Sequence, residues 1–126
     1  MSFILLGIAG GIGAICRSFL LSWGNRKFTS FGTLLVNILG SLLFGVWLGL
    51  HPNLTGPDAF TTGFLGGLTT FSTVSVEVAQ RLTKKDWSLT SLFLISCVVG
   101  SVLAVGVGIT LSSLLLGNSE FHDSIF

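Results

Sequence analysis

Four stretches of this chain are apolar for long enough to cross a bilayer, and short polar stretches separate them. They cover residues 3–23, 31–50, 60–79 and 89–116. A hydrocarbon core about 30 Å thick takes about 20 helical residues. The first three stretches match that length. The fourth has 28 residues and is expected to tilt, bend or project. The pattern therefore predicts an all-α integral membrane fold, a single domain of four transmembrane helices. Residues 117–126 are polar and acidic, and are expected to form a mobile tail.

Composition supports the membrane reading. Of 126 residues, 50% are hydrophobic and 9% are charged, against about 25% charged in a soluble domain. No Lys or Arg precedes the first apolar run, so we expect a span there rather than a secretory signal. Cys16 and Cys97 both fall inside spans, and neither Cys-x-x-Cys nor a His cluster occurs; no disulfide and no thiolate metal site is expected. His51 and His122 fall in a loop and the tail. Nothing resembles a nucleophile–base pair, so the chain is not expected to be an enzyme.

The third stretch departs from an ordinary span. Its centre, Gly66-Gly67-Leu68-Thr69-Thr70, is weak in helix formers and predicts a helix broken near its middle. Irregular backbone at that depth is tolerated only in protein or beside a wet cavity. Its carbonyls make a cation site if several converge, and a two-fold axis through the break would double them. A plain glycine hinge that lets helices cross is the competing reading. Beyond the break, Phe71 and Val74 share one helical face, as do Ser72 and Ser75. Ring edges carry partial positive charge. With hydroxyl donors they can replace the water of a small anion without trapping it, although packing is the default role of Phe71 alone. Glu77 either reaches the headgroups, pairs with Arg81 four residues on, or serves a pathway. Asn37 is a polar insertion in the second span, read either as an interhelical hydrogen bond or as a donor facing an ion path. Arg17 either snorkels or charges a vestibule. Gly7, Gly10, Gly11 and Gly13 make a small-residue packing face; Gly40, Gly45, Gly100, Gly106 and Gly108 are further expected contact points.

The basic residues are one-sided. Arg17, Arg26 and Lys27 belong to the first turnaround; Arg81, Lys84 and Lys85 belong to the third. The positive-inside rule puts loops 24–30 and 80–88 in the cytoplasm and both termini outside.

The run Gly63-Phe64-Leu65-Gly66-Gly67-Leu68-Thr69-Thr70-Phe71-Ser72-Thr73, with Ser75 and Glu77, resembles the signature of the CrcB/Fluc fluoride channels. Gly32 to Asn37, Arg17 and Gly100-Ser101 are similar to the same family, so the resemblance covers all four spans. It implies passive fluoride export across the bacterial cytoplasmic membrane by an antiparallel, dual-topology dimer with two pores and a central structural sodium ion. It also implies roles. Gly66 and Thr69 give the sodium carbonyls, and Phe71 is a pore phenylalanine. Asn37 and Ser101 are pore donors. Ser72, Thr73, Ser75 and Glu77 belong to or adjoin a polar track, and Arg17 sits at a vestibule. Val74 stands in place of the family's second pore phenylalanine, and Val105 where some members have threonine. A dual-topology homodimer calls for near-balanced charge, whereas this chain is strongly biased. The hypothesis is one-way insertion beside an oppositely oriented paralogue, with a homodimer as the contrary reading. A half-competent or non-conducting partner subunit and a small proton-coupled exporter are the functional alternatives.

Overall fold

In the computed structural model, residues 2–26, 30–53, 56 and 58–117 are described. The expected mobile tail lies outside them from residue 118 onward, together with His122; so does Lys27 of the first loop. The described chain is all-helical. Helix α1 spans Phe3–Gly24 and α2 spans Phe31–Leu50. A π-helical segment, Ala59–Leu65, runs into one short α-turn, α3, Gly66–Leu68. Helix α4 spans Phe71–Thr83, and α5 spans Trp87–Leu116.

Three of these helices, α1, α2 and α5, are long and apolar enough to cross a membrane, with mean hydropathies of 2.0, 2.0 and 2.5. Their outward faces carry Phe3, Ile4, Ile15, Phe19, Val102 and Leu115, all well exposed. The chain is a multi-pass membrane protein, and lipid is the medium that covers such faces.

Lipid tails are as apolar as leucine, so apolar burial drives helix association weakly there; close backbone approach takes over. Two pairings show it. Helix α1 lies against the π segment and α3, and a methyl group at Gly13 would fall on the carbonyl of Phe64 and one at Gly67 on the carbonyl of Gly10. Of the four N-terminal glycines, Gly10 and Gly13 make this face, while Gly7 and Gly11 look into open space. Helix α2 lies against α5 in the same manner: Gly45 meets the backbone of Val105, and Gly108 meets that of Leu42 and Val46. Gly106, expected as a contact point, faces outward with nothing near it.

The pairings set direction. Residues 38, 45 and 49 of α2 meet 100, 105 and 112 of α5, so these helices are parallel. Ring contacts of Trp47 with His51 and Phe60, at centroid distances of 4.0 and 4.5 Å, bring the end of α2 to the start of the π segment. The first residue of α1 and the last of α5 thus end up at one end of the bundle. Two small buried clusters fill the interior: Val36 with Leu65 and Leu68, and Val74 with Phe93 and Cys97.

The glycine pairings yield a test. Gly13→Ala should destabilise the folded chain by about 1–3 kcal/mol, through overpacking. Gly11→Ala, two residues away and facing outward, should be neutral or stabilising by up to about 1 kcal/mol, because alanine is the better helix former. Denaturant titration of the two variants in detergent measures both.

Candidate functional site

Between α3 and α4 the chain leaves the helix for two residues. Thr69 has φ −76° and ψ 153°, and Thr70 has φ −151° and ψ 119°, both extended. Asn37, near the middle of α2, serves this step. Its Oδ1 accepts from the Thr70 N–H at 3.1 Å, and its Nδ2 donates to the Thr70 carbonyl at 3.4 Å. One amide side chain thus takes both polar groups of one backbone residue.

The diversion has a consequence for the carbonyls. In a continuous α-helix the Thr70 N–H would close on the Gly66 carbonyl; here it goes to Asn37. The Thr73 N–H would close on the Thr69 carbonyl; here it goes to the Thr70 hydroxyl at 3.2 Å, an N-cap. Gly66 and Thr69, the two residues singled out for their carbonyls, therefore both lose their helical partners to other groups. Both line one cavity of about 520 Å³.

That cavity also takes Asn37, Phe71, Val74 and Ser101. Phe71 is 79% exposed and Val74 is 4% exposed, so the two residues of this helical face differ in environment. Val74 packs with Phe93 and Cys97, against Leu34 and Val78. Ser72, Thr73 and Ser75 do not line the cavity. The Ser72 and Thr73 hydroxyls lie 3.0 and 3.2 Å from that of Thr70, and Ser75 Oγ donates to the Phe71 carbonyl at 3.0 Å. Ser72 and Ser75 face outward on α4.

Glu77 stands apart from that cavity. It lines a second pocket, of about 390 Å³, with Ser30 and Arg81. Oε1 accepts from the fully buried hydroxyl of Thr33, and Oε2 is buried with no partner among the described residues. The helical pair with Arg81 does not form. Arg81 donates from Nη2 to Ser30 Oγ at 2.7 Å and lies 5.1 Å from the centroid of the Phe93 ring. Arg17 is half-buried on α1, lines neither space and has no hydrogen-bond or ion-pair partner among the described residues.

Taken together, α4 is tied to α2 by three polar rungs: Thr70 to Asn37, Glu77 to Thr33, and Arg81 to Ser30. Their partners, Ser30 at the N-cap of α2 and Thr33 and Asn37 within it, fall at i, i+3 and i+7. Because Ser30 meets the end of α4 and Asn37 its start, the two run antiparallel. Sequence reasoning missed Thr33, Ser30 and Thr70 as partners, and offered Arg81 to Glu77 rather than to Ser30. The signal was the shared spacing of Ser30, Thr33 and Asn37.

The comparisons with known proteins bear on all four spans. A family model described as CrcB-like protein, Camphor Resistance (CrcB), matches residues 4–109. The chain belongs to the CrcB family. A relative from Bacillus thuringiensis subsp. konkukian, named fluoride-specific ion channel FluC 1, is 36% identical, with 90% of this chain and 89% of the relative covered. A fluoride-specific ion channel FluC from Thiobacillus denitrificans is 37% identical, over 85% of this chain and 92% of its own. One from Nitratidesulfovibrio vulgaris is 38% identical, over 90% and 98%. Like other members of the CrcB family, the chain is not an enzyme.

The Asn37 rung should show in stability. Asn37→Ala leaves the Thr70 N–H without a partner and takes one of the two donors from its carbonyl, which is expected to cost about 1–3 kcal/mol. Thr33→Val, which strips the one donor from Glu77, should lie in the same range. Thermal unfolding in detergent checks both.

Proposed function

We propose that this chain is a subunit of a fluoride-selective channel through which F⁻ leaves passively, down its gradient. Membership of the CrcB family and the names of the relatives support the ion. The observation that carries the reading in this chain is the Asn37–Thr70 pair. It holds two residues of extended backbone beside a cavity and diverts the N–H that would otherwise cover the Gly66 carbonyl, while the Thr70 hydroxyl diverts the one that would cover Thr69.

The π segment, α3 and α4 then make one crossing, a broken helix, and complete a four-span domain. The break lies level with the middle of α2, since Thr69 meets Gly40. Gly66 and Thr69 would hold one Na⁺ by their carbonyls. Two oxygens are too few for its shell, and a second chain related by a two-fold axis would bring two more. When bound, the ion supplies a fixed positive charge near the midplane. The donor chemistry fits, since hard cations take oxygen ligands.

A second chain also answers the outward face of α4. Phe71, Ser72 and Ser75 turn away from their own bundle. An antiparallel copy would close the cavity over them and line two paths. Asn37 Nδ2 carries two hydrogens, of which Thr70 takes one; we assign the other, with the Ser101 hydroxyl and the Phe71 ring edge, to the ion. Thr73 adds a hydroxyl beside this path, and Glu77 ends it. Arg17 would serve an entrance. Val74 brings no ring edge, so the path using that position is weakened. The one-sided basic residues fit loops 24–30 and 80–88 in the cytoplasm and termini outside. The oppositely inserted partner is then a paralogue or a minority of the same chain.

Efflux from liposomes loaded with fluoride tests this, with chloride as control. We expect fluoride efflux with no matching chloride efflux. Phe71→Ile should slow it at least about tenfold, equal to ~1.4 kcal/mol. Val74→Phe should speed it. Silence from this chain, both alone and beside an oppositely inserted paralogue, would overturn the reading.

A further inference from the structure

Glu77 and Arg81 carry opposite charges one turn apart on α4, line the same 390 Å³ pocket, and do not pair. Each is held by something neutral instead. Thr33 takes one oxygen of Glu77, while Ser30 and the Phe93 ring take Arg81. An arginine has five N–H donors in a rigid fork. Ser30 is its one side-chain hydrogen-bond partner among the described residues, so most of the fork remains for a visitor. At the rim, Lys84 and Asp86 are exposed and of opposite sign, which leaves the half-buried Arg81 to set the local potential nearest the opening.

From this geometry we infer that the pocket is a capture site for a small hard anion, with Arg81 as the residue that binds it. The inference rests on the channel reading and adds to it a named mouth at the end where the first and third loops lie. Arg81 is one turn nearer that end than Glu77. An arriving anion meets the guanidinium first and the carboxylate second. Attraction followed by repulsion over about 6 Å, one helical turn, makes a weak site. Conduction needs that: binding firm enough to admit the ion and loose enough to release it. Had Glu77 and Arg81 paired, the charge would have been cancelled and no capture would occur. Ser30 and Phe93 keep them apart. The ring does so without adding charge, through its negative face.

Two measurements test the site, one of them independent of conduction. Gln80 is exposed and lines the same pocket. In full-length chain with Cys16 and Cys97 replaced by alanine, Gln80→Cys is modified by an anionic and by a cationic methanethiosulfonate reagent. One charge at about 6 Å in water alters each rate roughly threefold, in opposite senses. Adding R81Q should therefore lower the anionic-to-cationic rate ratio about tenfold, and R81K should restore it. An unchanged ratio overturns the inference. In liposomes, R81Q should raise the half-saturating fluoride concentration several-fold at low ionic strength and much less at high, with maximal efflux within about twofold. Efflux lost equally at every fluoride concentration would make Arg81 a structural tie only, and would also overturn it. Wild-type chain that carries no fluoride, both alone and beside an oppositely inserted paralogue, would sink the channel reading, and the rate ratio would still decide the anion site.

Discussion

A backbone N–H inside a bilayer has no water to turn to, and the whole centre of this molecule follows from how one such group is served. Asn37 takes both the N–H and the carbonyl of Thr70. Without it, the extended step would leave the Thr70 N–H unmet, and away from water such a group is costly. With it, the step between α3 and α4 is stable. The Thr70 hydroxyl then opens a new helix by capping Thr73. The broken geometry is thus a matter of side-chain supply, and its cause sits on another helix, 33 residues away in sequence.

Much of this was legible beforehand, and the reasons differ from part to part. The apolar stretches gave three of the helices because bilayer thickness sets their length. Helix α2 runs over Phe31–Leu50, the bounds read from hydropathy. The break region stood out because glycine and threonine are poor helix formers. The family was recognisable from the third-span motif, and the matched residues 4–109 agree. What could not be read was pairing across helices. A serine at position 30 and an arginine at 81 carry no mark in a linear sequence that they meet. The expected pair of Glu77 with Arg81 relied on helical spacing alone. Tertiary partners, Thr33 on one side and Ser30 with Phe93 on the other, outbid it. Likewise the count of N-terminal glycines announced close packing, but which two of the four face the π segment depended on helix phase. The π segment itself left no trace that periodicity could detect.

The two glycine interfaces and the polar ladder divide the work between them. Helix α1 grips the π segment and α3 through Gly10, Gly13 and Gly67. Helix α2 and its cap grip α4 through hydroxyl, carboxylate, amide and guanidinium groups. The first joint is steric and holds distance. The second is directional and holds rotation, since each rung is satisfied at only one azimuth of α4. That is why Phe71, Ser72 and Ser75 all turn to one side together.

Helix α4 consequently has two faces with separate histories. The side that meets α2, with Thr70, Glu77 and Arg81, answers to its own chain, and a change there must be matched by a change at Asn37, Thr33 or Ser30. The other side, with Phe71, Ser72, Ser75 and Val76, answers to whatever lies opposite. Val74 belongs to the inner of the two: it is buried beside Phe93 and Cys97. A change of side chain there is therefore settled by repacking within one chain, with no permission needed from a neighbour. A bulkier side chain at that position would have to repack the same interior before it could alter anything α4 turns outward.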